Sequence, residues 1–191
     1  MKKKVINFLD TQKQKAKVFS LPIIMLFIST TAQASCSKLA KAAGIQPVKL
    51  EMIINKLVRI ESTTGNYNVM NHRSGAYGRY QIMPSTAKFY AKKLGIPQNL
   101  WKKPYNQDKI FNAIMQDNIK SLKRNGHKIS AFSIYAIHQQ GARGFNTIMK
   151  NKPISKLIER NMRENLPKKY HNIPKAYLRY VWIKCWKNKL G

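Results

Sequence analysis

Apolar residues recur every three to four positions along most of this 191-residue chain, the pattern typical of amphipathic helices. The clearest case covers 107–126, where the apolar positions are 110, 111, 114, 115, 119 and 122. Asn106 is expected to open this helix, and basic residues at 123 and 124 fill its last turn, where they favour the helix dipole. The pattern predicts a mainly helical protein.

Prolines, hydroxyl residues and glycines delimit the other predicted helices. Pro47 is placed to begin one whose apolar face would hold Val48, Met52, Ile53, Leu57 and Ile60. Ser85 is expected to cap a second helix, which Gly95 would stop.

The second half of the chain predicts three more helices. Ser130 would start one that ends at Gly141, and Pro153 and Pro174 would lie in the first turns of the last two. Strand-forming residues are scarce, and only 66–71 and 78–83 are placed to pair as a hairpin. We therefore expect one mainly α domain, with a small β-hairpin beside a loop-rich cleft.

The first 34 residues differ from the rest. Lysines precede an apolar run from Val18 to Ile28, and small residues follow, with Ala32 and Ala34 placed as a cleavage site. Eleven residues fall short of the roughly 20 that span a bilayer. We expect a cleaved signal peptide over 1–34, export to the periplasm without a stable membrane anchor, and a mature domain over 35–191.

The chain has two cysteines, Cys36 and Cys185, and both lie in the mature part. In an exported protein such a pair predicts one disulfide joining the chain ends, with two buried free thiols as the alternative. The cysteines do not have metal-ligand spacing. We predict no metal and no cofactor.

Basic residues dominate the charge, with 36 Lys and Arg against seven Asp and Glu. Removing 1–34 takes away six lysines and Asp10 and leaves a formal net charge of +24. Such a charge favours polyanionic partners, among them anionic lipid and the bacterial cell wall. Export argues against nucleic acid, and the chain has no stacking or zinc motif for it.

Glu61 is one of these few acids, and it ends the apolar face of the predicted second helix. The following residues, STTGNYN, favour turns and caps over helix. A carboxyl at the mouth of an apolar helix end is partly desolvated, which raises its pKa and suits a general acid. The alternative is an exposed glutamate near basic neighbours.

The segment from Glu61 to Ala87 resembles the soluble lytic transglycosylase family. Glu61-Ser62 is followed, fourteen residues on, by GAYGRYQIMPSTA, which follows the family's Gly-x-x-Gly-Leu-Met-Gln-Ile-x-Pro-x-Thr-Ala pattern. The matching positions are Gly75, Gly78, Gln81, Pro84, Thr86 and Ala87. The resemblance covers roughly 50–145 and implies the lysozyme-like fold.

Two segments depart from the family pattern. Arg79-Tyr80 replaces its Leu-Met, and its Ala-Tyr-Asn-Ala-Gly segment appears here as IHQQG, over 137–141. His138 and Gln139 thus stand where the family has Tyr and Asn. That Tyr supports the catalytic carboxyl in the family, so either His138 or Tyr135 is expected to do so here.

The resemblance implies a reaction that needs one carboxyl. As the acid, Glu61 would protonate the glycosidic oxygen; as the base, it would accept the proton of the muramic acid 6-hydroxyl, giving a 1,6-anhydro product. The other expected contacts to the substrate are Ser62, Tyr80, Gln81, Tyr135, His138 and Gln139. The remaining acids of the helical patterns, Glu51, Asp108 and Asp117, are interpreted as surface charges.

We therefore expect a periplasmic lytic transglycosylase acting on peptidoglycan glycan strands. Exported single domains of this type resemble the wall-opening enzymes of secretion, conjugation and pilus machines, which implies such a partner. One alternative is a hydrolytic muramidase that uses the same Glu61. Another is a non-catalytic, cationic wall-binding protein, which the changes at 79, 80 and 138 make conceivable.

Overall fold

The computed structural model describes residues 30–190, with side chains from Cys36 onward. A compact unit begins at Gln33. Seven helices make up this described part: α1 Thr30–Ala43, α2 Pro47–Ser62, α3 Pro84–Lys93, α4 Pro104–Arg124, α5 Ala131–Met149, α6 Lys156–Glu164 and α7 Lys175–Leu190. Short 3-10 turns cover Gln98–Leu100 and Lys168–Tyr170. The predicted mainly α fold is confirmed.

The predicted signal peptide lies mostly outside the described residues. Its expected cleavage site after Ala34 falls within α1. No helix between 30 and 190 is both long and apolar enough to cross a membrane.

The expected hairpin is reduced to isolated antiparallel bridges, Met70 to Tyr77 and Tyr77 to Ile82. The backbone turns too often between these residues for a ladder to extend. Gly75 and Gly78 have positive φ angles of 74° and 81°, and Gln81 has one of 47°. The segment between α2 and α3 is therefore a chain of tight turns.

Proline opens three of the helices, including the predicted start at Pro47. Pro84 and Pro104 occupy the same position in α3 and α4, so the expected starts at Ser85 and Asn106 were wrong. Proline suits the first turn because its missing N–H has no helical partner there. Asn106 instead donates from Nδ2 to the Leu100 carbonyl, 2.9 Å away.

Serine caps begin two other helices. Ser130 caps α5 through a reciprocal pair of bonds with Ser133, as predicted. Ser155 caps α6, so Pro153 precedes this helix and does not lie in its first turn as predicted. α5 runs past its expected end to Met149, with a kink at Gly141, where φ is 67° and ψ 163°.

The apolar face of α2 differs from the prediction at two positions. Val48 and Met52 are 68% and 62% exposed, so Met52 does not belong to the core. The inward face is formed by Leu50, Ile53, Leu57 and Val58. The predicted and the observed apolar faces of α2 both have helical spacing. Only the elements that pack against α2 decide which of the two faces is buried.

The core is built around α5. This helix packs against α2, α4, α6 and α7, and its residues from Phe132 to Ile137 are buried. Glu61 lies at the end of α2, and the IHQQG segment lies at the end of the straight part of α5. The packing of α2 against α5 therefore determines the framework of the site.

Candidate active site

Glu61 lies in the last turn of α2 and is half-buried. Burial raises the pKa of its carboxyl to about 7. Its place near the negative end of the helix dipole also disfavours the carboxylate. Among the described residues, the carboxyl has no salt bridge and no hydrogen-bonding side chain to offset this. A carboxyl in these surroundings holds a proton near neutral pH.

Tyr135 on α5 lies near enough to this carboxyl to feel its charge, although no hydrogen bond joins the two side chains within the described part of the chain. It is 3% exposed, and burial, followed by the nearby negative charge of Glu61, raises the pKa of its hydroxyl. Gln139 donates from Nε2 to this hydroxyl oxygen at 2.7 Å, and Gln140 donates to Gln139 Oε1 at 3.2 Å. Because the hydroxyl already accepts from Gln139, its own proton is free to be donated towards Glu61.

His138 is bound elsewhere. Its Nε2 lies 3.2 Å from the Tyr80 carbonyl, which can only accept, so Nε2 carries the hydrogen. Its Nδ1 is buried and has no partner within the described part of the chain. Burial lowers the pKa of the ring, which is therefore neutral. Of the two residues expected to support the Glu61 carboxyl, Tyr135 is the one whose pKa is raised by the charge of Glu61.

Tyr80 and Ser62 were expected to contact the substrate, and in the structure both side chains are buried. Tyr80 is 7% exposed, and its ring stacks on Phe111 with centroids 3.8 Å apart. Ser62 is buried and donates to the Val58 carbonyl of its own helix, 3.2 Å away. Both side chains are held inside the protein and act as structural supports.

Gln81 supports the loop and still borders the surface. Its Nε2 donates to the Gly78 carbonyl at 2.9 Å and the Val69 carbonyl at 3.4 Å. The side chain is half-buried. Its amide hydrogens thus fix the turns after α2, and its oxygen is the part left for a substrate.

Asp108 on α4 is not the surface charge expected from the helical pattern. Its Oδ1 accepts hydrogen bonds from the hydroxyls of Tyr67 and Tyr80, each at 2.8 Å. The Arg79 guanidinium lies 5.6 Å from the Tyr67 ring centre and 5.9 Å from that of Tyr80. The Arg79-Tyr80 departure therefore forms a cluster under the loop that is held by cation–π contacts and hydrogen bonds.

Gln107 is a second residue that the sequence did not reveal. It is fully buried, and its Nε2 donates to the carbonyls of Tyr67 and Lys102 while Oε1 accepts from the Arg79 N–H. A Cβ on Gly78 would lie 1.8 Å from Gln107 Oε1. Gly78, the second glycine of the motif, leaves room for the Gln107 amide. In the sequence, this glycine was the signal available for finding Gln107.

The predicted disulfide is not confirmed. Cys36 and Cys185 are free, half-buried thiols in the structure. Cys36 Sγ lies 3.8 Å from the Pro47 carbonyl, and burial, followed by the charge of Glu51, raises the pKa of this thiol. The alternative of two free thiols is the arrangement observed.

Between residues 30 and 190, no group of His, Cys, Asp and Glu side chains is placed to hold a metal ion. A surface cavity of about 390 Å³ lies away from Glu61, at the turn between α1 and α2. Its lining includes Lys41, Gly44 and Lys49. Within the described part, the candidate site therefore centres on Glu61, with Tyr135 near it on α5.

Comparison with known proteins gives one match. Residues 38–136 match the family model described as the transglycosylase SLT domain, a little over half of the chain. The match includes Glu61, the loop over 75–87 and Tyr135, and it ends two residues before His138. No curated protein and no solved structure matches the chain.

Proposed function

Since the chain belongs to the transglycosylase SLT family, we propose that it is a peptidoglycan lytic transglycosylase with Glu61 as its single acid and base. The family cleaves glycosidic bonds in peptidoglycan, which gives the substrate class. The finer proposal concerns the product: a 1,6-anhydro muramic acid end, formed without water.

The observation that supports it best is the isolation of Glu61. Its carboxyl is half-buried, its pKa is raised to about 7, and no cation approaches it within the described chain. A general acid must be protonated when it meets its substrate, and at neutral pH this carboxyl is protonated in a large fraction of molecules.

A second catalytic carboxylate is missing near Glu61 among the described residues. Retaining and inverting glycosidases place two carboxyls about 5 to 9.5 Å apart. Glu51 lies ten residues earlier on α2, about 15 Å along the helix. The other described acids are engaged by other side chains: Asp108, Asp117, Glu159 and Glu164.

The proposed reaction uses this one carboxyl twice. Glu61 donates its proton to the glycosidic oxygen, and the bond from that oxygen to the anomeric carbon breaks. The 6-hydroxyl oxygen of the same sugar then bonds to the anomeric carbon, and its proton passes to Glu61. Both reacting groups belong to one sugar ring, so the attack gains the effective concentration of an intramolecular reaction.

Tyr135 supports the charged half of this cycle. Glu61 is a carboxylate between the two proton transfers, and a buried carboxylate needs a donor. Gln140 donates to Gln139 and Gln139 donates to the Tyr135 oxygen, so the Tyr135 proton remains available for a carboxylate at Glu61. Tyr135 is therefore proposed as the group that stabilises the carboxylate.

The test is the chemistry of the released fragments. Purified sacculi are digested with the wild-type protein, and the soluble muropeptides are analysed by mass before and after borohydride treatment. Anhydro products are one water lighter than lysozyme products and resist reduction. Reducible muramic acid ends would identify a hydrolytic muramidase, and no release at all would identify a wall-binding protein.

We also propose that the protein is exported and acts in the periplasm, supported by the lysine-rich, apolar and small-residue order of 1–34. Mass analysis of the protein recovered from the periplasm should give an N-terminus at Ser35. Service to a secretion, conjugation or pilus machine is proposed from the family resemblance alone, and co-purification from cells that assemble such a machine would test it.

A further inference from the structure

The last helix, α7, touches the site from outside the family-matched segment. The Trp186 ring lies 4.5 Å from the Tyr135 ring, measured between centroids, at an interplanar angle of 41°. Both side chains are buried. Tyr135 lies near Glu61, on a helix that packs against α2, so a residue that holds the Tyr135 ring in place acts indirectly on the carboxyl.

The same end of α7 is tied to the helix that carries Glu61. Lys56 Nζ, on α2, donates to the Leu190 carbonyl at 2.8 Å, and the Leu190 side chain is 2% exposed. Lys56 precedes Glu61 by five residues on α2. The last turns of α7 thus contact both α2 and α5, the two helices that build the site.

We propose that α7 is part of the active-site framework, with Trp186 as a positioning residue that holds the Tyr135 ring in place near Glu61. This inference rests on the proposed role of Glu61 as acid and base. It extends the site beyond residues 38–136, the segment that matches the family model.

The proposed effect of Trp186 on Tyr135 depends on the contact between their rings and not on a hydrogen bond. The Trp186 indole N–H is buried and has no hydrogen-bond partner within the described residues. The Tyr135 hydroxyl is bonded to Gln139 instead. Phenylalanine at 186 should therefore preserve the function, since it keeps an aromatic ring and loses no hydrogen bond.

Charged groups of α2 and α7 lie near this contact. Glu61 on α2 lies near Tyr135, and Lys189 Nζ on α7 lies 4.8 Å from the Trp186 ring centre. Two other titratable groups of α2 and α5 are bound elsewhere, namely Lys56 to Leu190 and His138 to Tyr80. A change in the titration of Glu61 on mutation of Trp186 would thus report a movement of Tyr135 or the entry of water.

Trp182 provides a matched control. It is fully buried, lies one turn earlier on α7 and also packs on an α5 ring, that of Phe132, with centroids 6.0 Å apart. Its indole N–H likewise has no partner in the described chain. Trp182→Leu and Trp186→Leu should therefore both destabilise the fold, but only the second removes the support of Tyr135.

The experiment measures sacculus cleavage and the titration of Glu61 in the full-length protein, at a temperature where every variant is folded. We expect Trp186→Leu to lower kcat by about tenfold or more with little change in KM, and Trp186→Phe to stay within about threefold of the wild type. Trp182→Leu should keep the wild-type kcat although its melting temperature falls.

The second measurement does not depend on activity. The chain has four glutamates, so a carboxyl-labelled sample gives few signals, and Glu61→Gln assigns the one of interest. In Trp186→Leu, Tyr135 relaxes away from Glu61 and water enters, so the pKa of Glu61 should fall towards its usual value. Trp182→Leu should leave it unchanged.

The inference is overturned if Trp186→Leu keeps the wild-type kcat and Glu61 titration, or if Trp182→Leu shifts both equally. If Trp186→Leu does not fold, Lys56→Met decides, because Lys56 is exposed and its loss removes the hydrogen bond that joins α2 to the end of α7. A fall in kcat and in the Glu61 pKa then supports the proposal, and no change overturns it. An active Glu61→Gln variant would instead refute the proposed function, whatever the titrations show.

Discussion

Glu61 and the two aspartates of α4 are all half-buried acids beside tyrosines, but they differ in the hydrogen-bond donors placed around them. Asp108 accepts two tyrosine hydroxyls, and Asp117 accepts Tyr90 at 3.0 Å and Lys93 at 2.8 Å. Despite its burial, the hydrogen bonds from Lys93 and Tyr90 and the charge of Lys93 lower the pKa of Asp117. Glu61 receives no such donor within the described chain, and its pKa rises to about 7.

The difference shows how this chain separates a structural acid from a reactive one. Donors placed around a carboxyl stabilise its charge and commit it to one state. The protein has 36 basic residues, yet none of the described ones forms an ion pair with Glu61. In a chain so rich in cations, keeping them away from one carboxyl is itself a constraint on the fold.

The largest expected effect comes from removing the proton that distinguishes Glu61. Glu61→Gln keeps the shape of the side chain, and we expect wall cleavage to fall by about 10²- to 10⁴-fold, the contribution typical of a general acid or base. Release of soluble muropeptides from sacculi measures it. Asp117→Asn is the control and should stay near wild type; a loss under about tenfold for Glu61→Gln would contradict the assignment.

The frame around Asp108 should be the next most sensitive feature. Gly78→Ala places a Cβ against the fully buried Gln107 amide at a φ of 81°, and we expect a loss of about 3 kcal/mol in the free energy of unfolding. Gly95→Ala is the control, since its φ is 66° but no atom lies within 4 Å, and it should cost about 1 kcal/mol. Denaturant unfolding compares the two variants. Equal losses in the free energy of unfolding would show that the Gln107 side chain moves aside without a cost in stability.

The opposite pKa shifts of Glu61 and Asp117 should appear in stability against pH. The folded pKa of Glu61, about 7, lies above its usual 4.5, so the folded state holds its proton more tightly. Glu61 therefore lowers stability as pH rises from 4.5 to 7, by up to about 3 kcal/mol. Glu61→Gln should be more stable than wild type above pH 7 and equal to it below pH 4.5.

Asp117 supplies the contrast in the same measurement. Its folded pKa is lowered, so its contribution is present above its usual pKa of 3.8 and is lost as pH falls. Asp117→Asn should therefore be less stable than wild type at neutral pH, with a difference that shrinks in acid. A Glu61→Gln stability that ran parallel to wild type from pH 4 to 8 would show that the Glu61 carboxyl is not perturbed.

Helix positions were predictable where a local signal was strong. Pro47 and Ser130 open helices as expected, because a first-turn proline and a serine cap act within one turn. Met52 was misplaced because helical periodicity gives the spacing of a face and not which of two overlapping faces is buried.

The site was predictable in its centre but not in its surroundings. Glu61 stood out because it ends an apolar face before a turn-rich segment. The two departures from the family pattern, at Tyr80 and His138, are in contact through a hydrogen bond of 3.2 Å, across 58 residues of sequence. Phe111 packs against both rings, at 3.8 Å and 5.9 Å. Such a long-range contact leaves no local periodicity, so one sequence could not reveal that the changes form a unit.

The smallest expected effect tests whether Asp108 is only structural. Asp108→Asn keeps an oxygen that can accept from Tyr67 and Tyr80 but removes the charge that strengthens both bonds, so we expect a stability loss of about 1 to 2 kcal/mol. Tyr67→Phe and the double variant complete a cycle, and a coupling of about 0.5 kcal/mol or more would show that the two side chains act together. Sacculus cleavage should change less than tenfold, because Tyr80 stays stacked on Phe111. If Asp108→Asn stayed folded but lost activity as Glu61→Gln does, Asp108 would be a second carboxyl that takes part in the reaction. The single-carboxyl mechanism would then be wrong, and so would the contrast between a structural Asp108 and a reactive Glu61.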